Sequence, residues 1–137
     1  MESPQPKPKI LVFIDWFLPG YKAGGPIRSV ANIVLGLKDS FDFYVIASDR
    51  DLGENEPYPD VKLNEWLAQD GYHVIYLSPE RQSWRNLQGL IHGQNFDVIY
   101  FNSLFSFKFT LLPLLICKRT GISASKILLA PRGMQNF

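Results

Sequence analysis

The residues of this chain best suited to chemistry stand in small groups, each directly behind a short apolar run. Asp15 and then Gly20, Gly24 and Gly25 follow the first run, and Ser48-Asp49-Arg50-Asp51 the second. Asn102-Ser103 follow the fourth and Pro131-Arg132-Gly133 the fifth. Gly24-Gly25-Pro26 leads into a helical pattern. Glycines let backbone N–H groups approach a phosphate, and a helix amino terminus adds positive potential. Arg28 would strengthen such an anion site. A tight turn that needs positive φ would use the same glycines. Asp49 and Arg50 have two uses as well: an acid after the second strand could hold a ribose, or the pair could bridge locally and stiffen its loop. Asn102 and Ser103 offer compact donors and acceptors for a sugar or phosphate, or a cap for the segment that follows.

Several chemistries are disfavoured by what the spacing lacks. There is no G-x-G-x-x-G, so a standard dinucleotide fingerprint is missing. Gly20 and Gly25 have P-loop spacing, but Pro26-Ile27 stands where Lys-Ser/Thr would be required. His73 begins a strand pattern and His92 ends a helical one, which puts both on the surface and away from the expected cleft. Neither a Ser-His-Asp set nor a paired-histidine ligand set is present. Cys117 is the single cysteine, which excludes an internal disulfide and a cysteine-built metal site, and no metal is expected. Phe101, Phe105, Phe107 and Phe109 could form an acceptor platform, although packing uses the same residues.

The elements that must position these groups are legible in the apolar pattern. The five runs are 10–14 (ILVFI), 43–47 (FYVIA), 73–77 (HVIYL), 97–101 (DVIYF) and 127–130 (ILLA). They are mostly without alternation and rich in β-branched and aromatic residues, the signature of strands covered on both faces in a parallel sheet. Crossover helices fit between them. The first opens at Pro26, harmless in a first turn, and carries Ile27, Val30, Ala31, Val34, Leu35 and Leu37 to about Lys38. A second spans 83–92, with Trp84, Leu87, Leu90 and Ile91 as its buried stripe. A third starts with Thr110 as cap, keeps Pro113 in its first turn, and ends at Thr120-Gly121. Residues 49–71 carry Gly53, Pro57 and Pro59 and predict an ordered loop with at most a short helix, of a length more often functional than idle. The predicted class is α/β: a Rossmann-like parallel sheet of about five strands with helices on both faces. Ligands then bind at the carboxyl ends of the strands, where the polar groups stand.

Bulk properties agree with one folded unit. The chain has 137 residues, 46% of them hydrophobic and 20% charged, too apolar for a disordered chain. Its net charge of +1 gives no reason to expect nucleic acid as a partner. Residues 1–8, with three prolines, predict a flexible leader, and residues 9–137 the domain. The most apolar later stretch, 104–117, is interrupted by Lys108 and Pro113 and is shorter than the ~20 residues a bilayer needs, so no transmembrane segment is expected. A soluble chain in a reducing compartment is expected.

Four segments together resemble the amino-terminal domain of GT4-type (group 1) GT-B glycosyltransferases. They are ILVFIDWFLPGYKAGGPIRSVANIVLGL, VIASDRDLG with EPY, FDVIYFNSLFSFKFTLLPLL, and KILLAPRGM, in the family's order over about residues 9–134. The resemblance implies a metal-independent enzyme of two Rossmann-like domains that moves a sugar, usually with retention, from a nucleotide donor to an acceptor. It implies that Gly24 and Gly25 form the loop facing the donor diphosphate. Arg28, Asp49, Arg50, Asn102, Ser103 and Arg132 would lie on the acceptor or cleft side. Many relatives carry a histidine at the end of the fourth strand. Here that position is Asn102, which cannot do acid–base work near neutral pH.

By the same resemblance, the donor domain with its acidic motif lies outside this sequence, and residues 9–137 form an incomplete acceptor-side domain, inactive alone. No cofactor is implied. A UDP- or GDP-linked sugar is the expected substrate of the complete enzyme, with a glycan or lipid-linked acceptor in polysaccharide or glycolipid assembly. The expected location is the cytoplasm, or peripheral at the inner face of the membrane. Two alternatives stay open: a nonenzymatic binding module or subunit of a split enzyme, and a nucleotide-dependent Rossmann enzyme. The last strand, flanked only by Lys126 and Pro131, would expose an apolar edge and invite self-association.

Overall fold

The computed structural model describes residues 6–102 and 106–130. Six strands form one sheet: β1 (Lys9–Phe13), β2 (Asp42–Ser48), β3 (Leu67–Ala68), β4 (Tyr72–Leu77), β5 (Val98–Phe101) and β6 (Ile127–Leu129). Their order is β3-β4-β2-β1-β5-β6. All neighbours are parallel except β3, which pairs antiparallel with β4. This mostly parallel α/β sheet is compatible with a Rossmann-like fold. The chain builds outward from β1 through β2 and β4, then returns to the other side of β1 with β5. The strand order therefore reverses between β1 and β5, the place where such sheets open a crevice.

Three helices cover the faces: α1 (Gly25–Leu37), α2 (Trp84–His92) and α3 (Leu112–Arg119). Ile27, Val30, Ala31 and Val34 of α1 are buried, and the last three pack with Val12, Phe43, Val45 and Val74 on one face. On the other, Leu87 and Ile91 of α2 and Ile116 and Cys117 of α3 meet Leu11, Phe13, Ile46 and Ile99. Alternate residues of β1 thus feed opposite cores, which is why the run 10–14 shows no alternation. Leu35 and Leu37, assigned to the buried stripe of α1 from spacing, are each 44% exposed; Leu35 turns away from the face of Val30 and Val34, while Leu37 shares that face but stands at the last residue of the helix.

Three other expectations are corrected. The loop 49–71 holds a strand that was not expected, β3, whose two residues are too few to leave a pattern. The third helical region begins earlier than Thr110. Ser106 caps a π turn, Phe107–Leu111, by accepting from the Phe109 N–H, and α3 continues from it with Pro113 in its first α turn. Thr110 lies buried inside that turn rather than at a cap. The strand β6 is not covered on both faces: Leu128 is 54% and Leu129 43% exposed. Of the segment before β1, the described residues make two contacts: Pro8 accepts from the Asp42 N–H at 2.9 Å and Lys7 Nζ donates to the Lys38 carbonyl at 3.1 Å. Among the described residues no helix is long and apolar enough to cross a membrane.

Candidate functional site

A cleft of about 410 Å³ opens at the carboxyl ends of the strands. Asp15 and Trp16 reach it from the end of β1, residues 48–51 with Gly53 and Glu54 from the end of β2, and Pro79 and Gln82 from the turn after β4. Residues 106–109, from the capped π turn, close the remaining side. Parallel strands bring these four chain segments to one edge, because β1, β2, β4 and β5 all end on the same side of the sheet.

Most charged groups in the cleft are already engaged. Asp49, only 1% exposed, accepts from Arg50 Nε at 2.7 Å and from Arg50 Nη2 at 3.2 Å. Arg50 Nη1 also donates to the Asn55 carbonyl. The pair is the loop-stiffening bridge of the two uses open from sequence. Asp51 is buried and accepts from the backbone N–H groups of Tyr21, Lys22 and Leu52. Burial favours its neutral form, but those donors prevail and hold its carboxyl below the ordinary value. Glu54 pairs with Lys22. Lys108 Nζ donates to the Gln82 carbonyl at 2.9 Å.

Asp15 is different. Among the described residues it has no cationic partner, and burial pushes its carboxyl above the ordinary value, against a hydrogen bond from Ser106. Ser106 can serve both neighbours, donating its O–H to Asp15 while accepting from Phe109 N–H at 3.1 Å. Asp15 was noted from sequence only as a polar residue after the first run and was not among the candidate site residues. Its position one residue past a buried strand end was the available signal. Trp16 and Lys108 were missed because their neighbours in the cleft come from distant sequence.

The glycine loop lies beside this cleft rather than in its lining. Gly24 is the amino-terminal cap residue of α1 with φ 69°, so the turn requirement is real at this position. Gly25 has no such requirement, and a Cβ on either glycine would meet nothing within 4 Å. The backbone at the start of α1 is therefore open to close approach. Arg28 is exposed one turn further on. Asn102 is buried, and its Nδ2 donates to the Phe13 carbonyl at 3.2 Å. It ties the ends of β1 and β5 at the reversal point and does not line the cleft. Ser103 and Arg132 lie outside the described residues, as does Phe105. Of the other aromatic residues, Phe101 stacks on Phe13 in the core at 5.1 Å, while Phe107 is 59% exposed at the cleft. His73 stacks on Tyr44 at 4.6 Å, and His92 contacts Thr120 Oγ1; neither reaches the cleft.

A carboxylate free of a cation, side-chain amide and hydroxyl groups, and the rings of Trp16 and Phe107 suit a neutral ligand rich in hydroxyls. A diphosphate placed there would meet the Asp15 carboxyl, and of the two cations in the lining Arg50 is already paired with Asp49. The open start of α1 suits an anion better. No family model, curated protein or solved structure matches the chain.

Proposed function

We propose that this chain is the acceptor-side, amino-terminal part of a GT-B glycosyltransferase, working with a donor-binding domain outside this sequence. The observation that carries the proposal is the division of labour at the strand ends. A cleft lined by Asp15, Ser48, Gln82, Trp16 and Phe107 suits a sugar, and the unobstructed backbone at Gly24–Gly25 suits a donor diphosphate. Asp15 accepts a hydrogen bond from an acceptor hydroxyl and orients it, with Ser106 fixing the carboxylate. Asp49 and Arg50 shape the wall. Asn102 holds β1 and β5 in register behind it and takes no part in proton transfer. The chemical step needs the second domain, because donor and acceptor must be held together for the displacement.

The test is a titration of the chain followed by nuclear magnetic resonance and calorimetry. UDP- and GDP-sugars are expected to bind at millimolar level or weaker, ~4 kcal/mol, with shifts centred on Gly24 and Gly25. Oligosaccharides are expected to shift Asp15 and Trp16. Micromolar affinity for a sugar nucleotide would overturn the half-enzyme reading.

A further inference from the structure

The outer surface of α3 breaks the pattern that α2 follows. A helix that covers a sheet ordinarily turns a polar face to water, and α2 does so, with Arg85 and His92 exposed. α3 buries Pro113, Ile116 and Cys117, yet Phe107, Leu111 and Leu115, spaced four apart along the π turn and the helix, are exposed. Leu111 and Leu115 also edge an apolar groove of about 440 Å³, which Ile122 and Ile127 help to line. The charge around this face is one-sided. All 13 acidic residues of the chain precede Val98, whereas Lys108, Lys118, Arg119, Lys126 and Arg132 follow it. Lys118 lies in the groove lining, and Arg119 and Lys126 are exposed in the same segment. Among the described residues none of Lys108, Lys118, Arg119 and Lys126 forms an ion pair.

We infer that this face docks the protein on a bilayer that contains anionic lipid. Leu111 and Leu115 enter the interfacial layer, and Lys118, Arg119 and Lys126 meet the lipid phosphates. Apolar side chains along the middle of an exposed helical surface, with cations beside them, are the pattern of an interfacial segment. The apolar stripe is short, and attraction of the cations to an anionic surface supplies what it lacks. A second copy seated on the same face by a two-fold axis would bring like charges together. An acidic protein segment would match the charge but would also have to match the groove in shape, which a fluid bilayer need not. Because Phe107 also lines the cleft at the strand ends, docking sets that cleft close to the lipid surface. The inference stands on charge and exposure and does not depend on the glycosyl-transfer proposal.

Flotation of the chain with extruded vesicles tests it. Vesicles of phosphatidylcholine mixed with phosphatidylglycerol are expected to carry the chain upward at low salt, and vesicles of phosphatidylcholine alone are not. Raising the salt to about 0.5 M should release most of it, because screening shortens the reach of the cations. Leu111→Ser with Leu115→Ser, and separately Lys118→Glu, all at exposed positions, are each expected to weaken binding about tenfold. Lys62→Glu, the same charge change in the loop before β3, should leave it unchanged. Thermal unfolding of each variant keeps loss of binding apart from loss of fold. No binding to the mixed vesicles, or equal binding to both kinds, overturns the inference, as does an equal loss with Lys62→Glu. Loss with Lys118→Glu but not with the leucine pair marks a surface for an acidic protein segment and overturns the bilayer too. Sugar binding in the cleft is measured separately, so none of these results decides the proposed function.

Discussion

Gly20 and Tyr58 occupy one space. A Cβ on Gly20 would overlap the Tyr58 hydroxyl and crowd Asp51 Oδ1, while that hydroxyl donates to the Phe17 carbonyl at 3.2 Å and Gly20 N–H donates to the same carbonyl at 2.8 Å. The chain after β1 is therefore clamped onto the loop after β2 by a contact that only glycine permits. Gly20→Ala is expected to destabilise the fold by about 1–3 kcal/mol, the usual cost of overpacking. Adding Tyr58→Phe should recover part of the loss, because it removes the atom in the way. Urea unfolding of the two variants measures both.

Asp15 and Asp51 should make opposite contributions to the pH dependence of stability. The Asp51 carboxyl is held below its ordinary value of 3.8, so the unfolded chain binds the proton more readily. Its stabilisation is complete above that ordinary value and is lost as pH falls through the lower folded value. Asp51→Ala should cost about 2–3 kcal/mol at neutral pH, with the deficit shrinking in acid. The Asp15 carboxyl is held above 3.8, so the folded chain binds its proton more readily, and stability falls as pH rises from 3.8 through the raised value. Asp15→Asn should accordingly raise the unfolding midpoint at pH 7, and the gain should vanish below the ordinary value. A midpoint lowered at pH 7 would mean that the ionised carboxylate is stabilised by something other than Ser106.

The two glycines that open α1 separate turn chemistry from ligand chemistry. Gly24 sits at φ 69°, so Gly24→Ala should cost about 1 kcal/mol of stability. Gly25 is the first helical residue and directly precedes Pro26, whose ring disfavours helical backbone in a residue bearing a Cβ, so Gly25→Ala should bring no gain and cost up to about 1 kcal/mol. On the glycosyl-transfer proposal, Gly25→Ala should lower the activity of the full-length protein by more than its stability change accounts for, and Gly25→Val more so, because a side chain blocks approach to the backbone. Turnover unchanged in both would leave Gly25 without a role in donor binding. Thermal unfolding and donor titration give the two readings independently.

The edge at β6 should drive association. Leu128 and Leu129 are exposed on β6, with apolar grooves on either side, one lined by Leu111, Leu115 and Ile122 and the other by Ile33, Leu37 and Phe41. Among the described residues β6 has a strand partner on one side only, and strand edges left open pair with other chains. Sedimentation at micromolar concentration is expected to show self-association, and Leu128→Lys is expected to return the chain to monomer. A well-folded wild-type monomer would show that this edge is no liability.

The sequence by itself determined the α/β class, the five main strands and the segments of the first two helices. Those features rest on local signals: unbroken apolar runs, a 3.6-residue stripe, and caps such as Ser83, whose side chain accepts from the Asn86 N–H. It also placed the glycine loop at the start of a helix. Tertiary structure alone decided the rest. A two-residue strand such as β3 has no period and exists only because β4 pairs with it. Whether Leu37 or Leu128 is covered depends on which element packs there, and periodicity carries no information on that. The cleft was legible as a set of strand ends but not as a set of contacts. Asp49 turned to Arg50, Asp51 to the backbone of residues 21 and 22, and Asn102 to Phe13, while Asp15 met Ser106 across 91 positions of chain. Which polar group stays available to a ligand is settled by competition among partners that only the folded chain brings together.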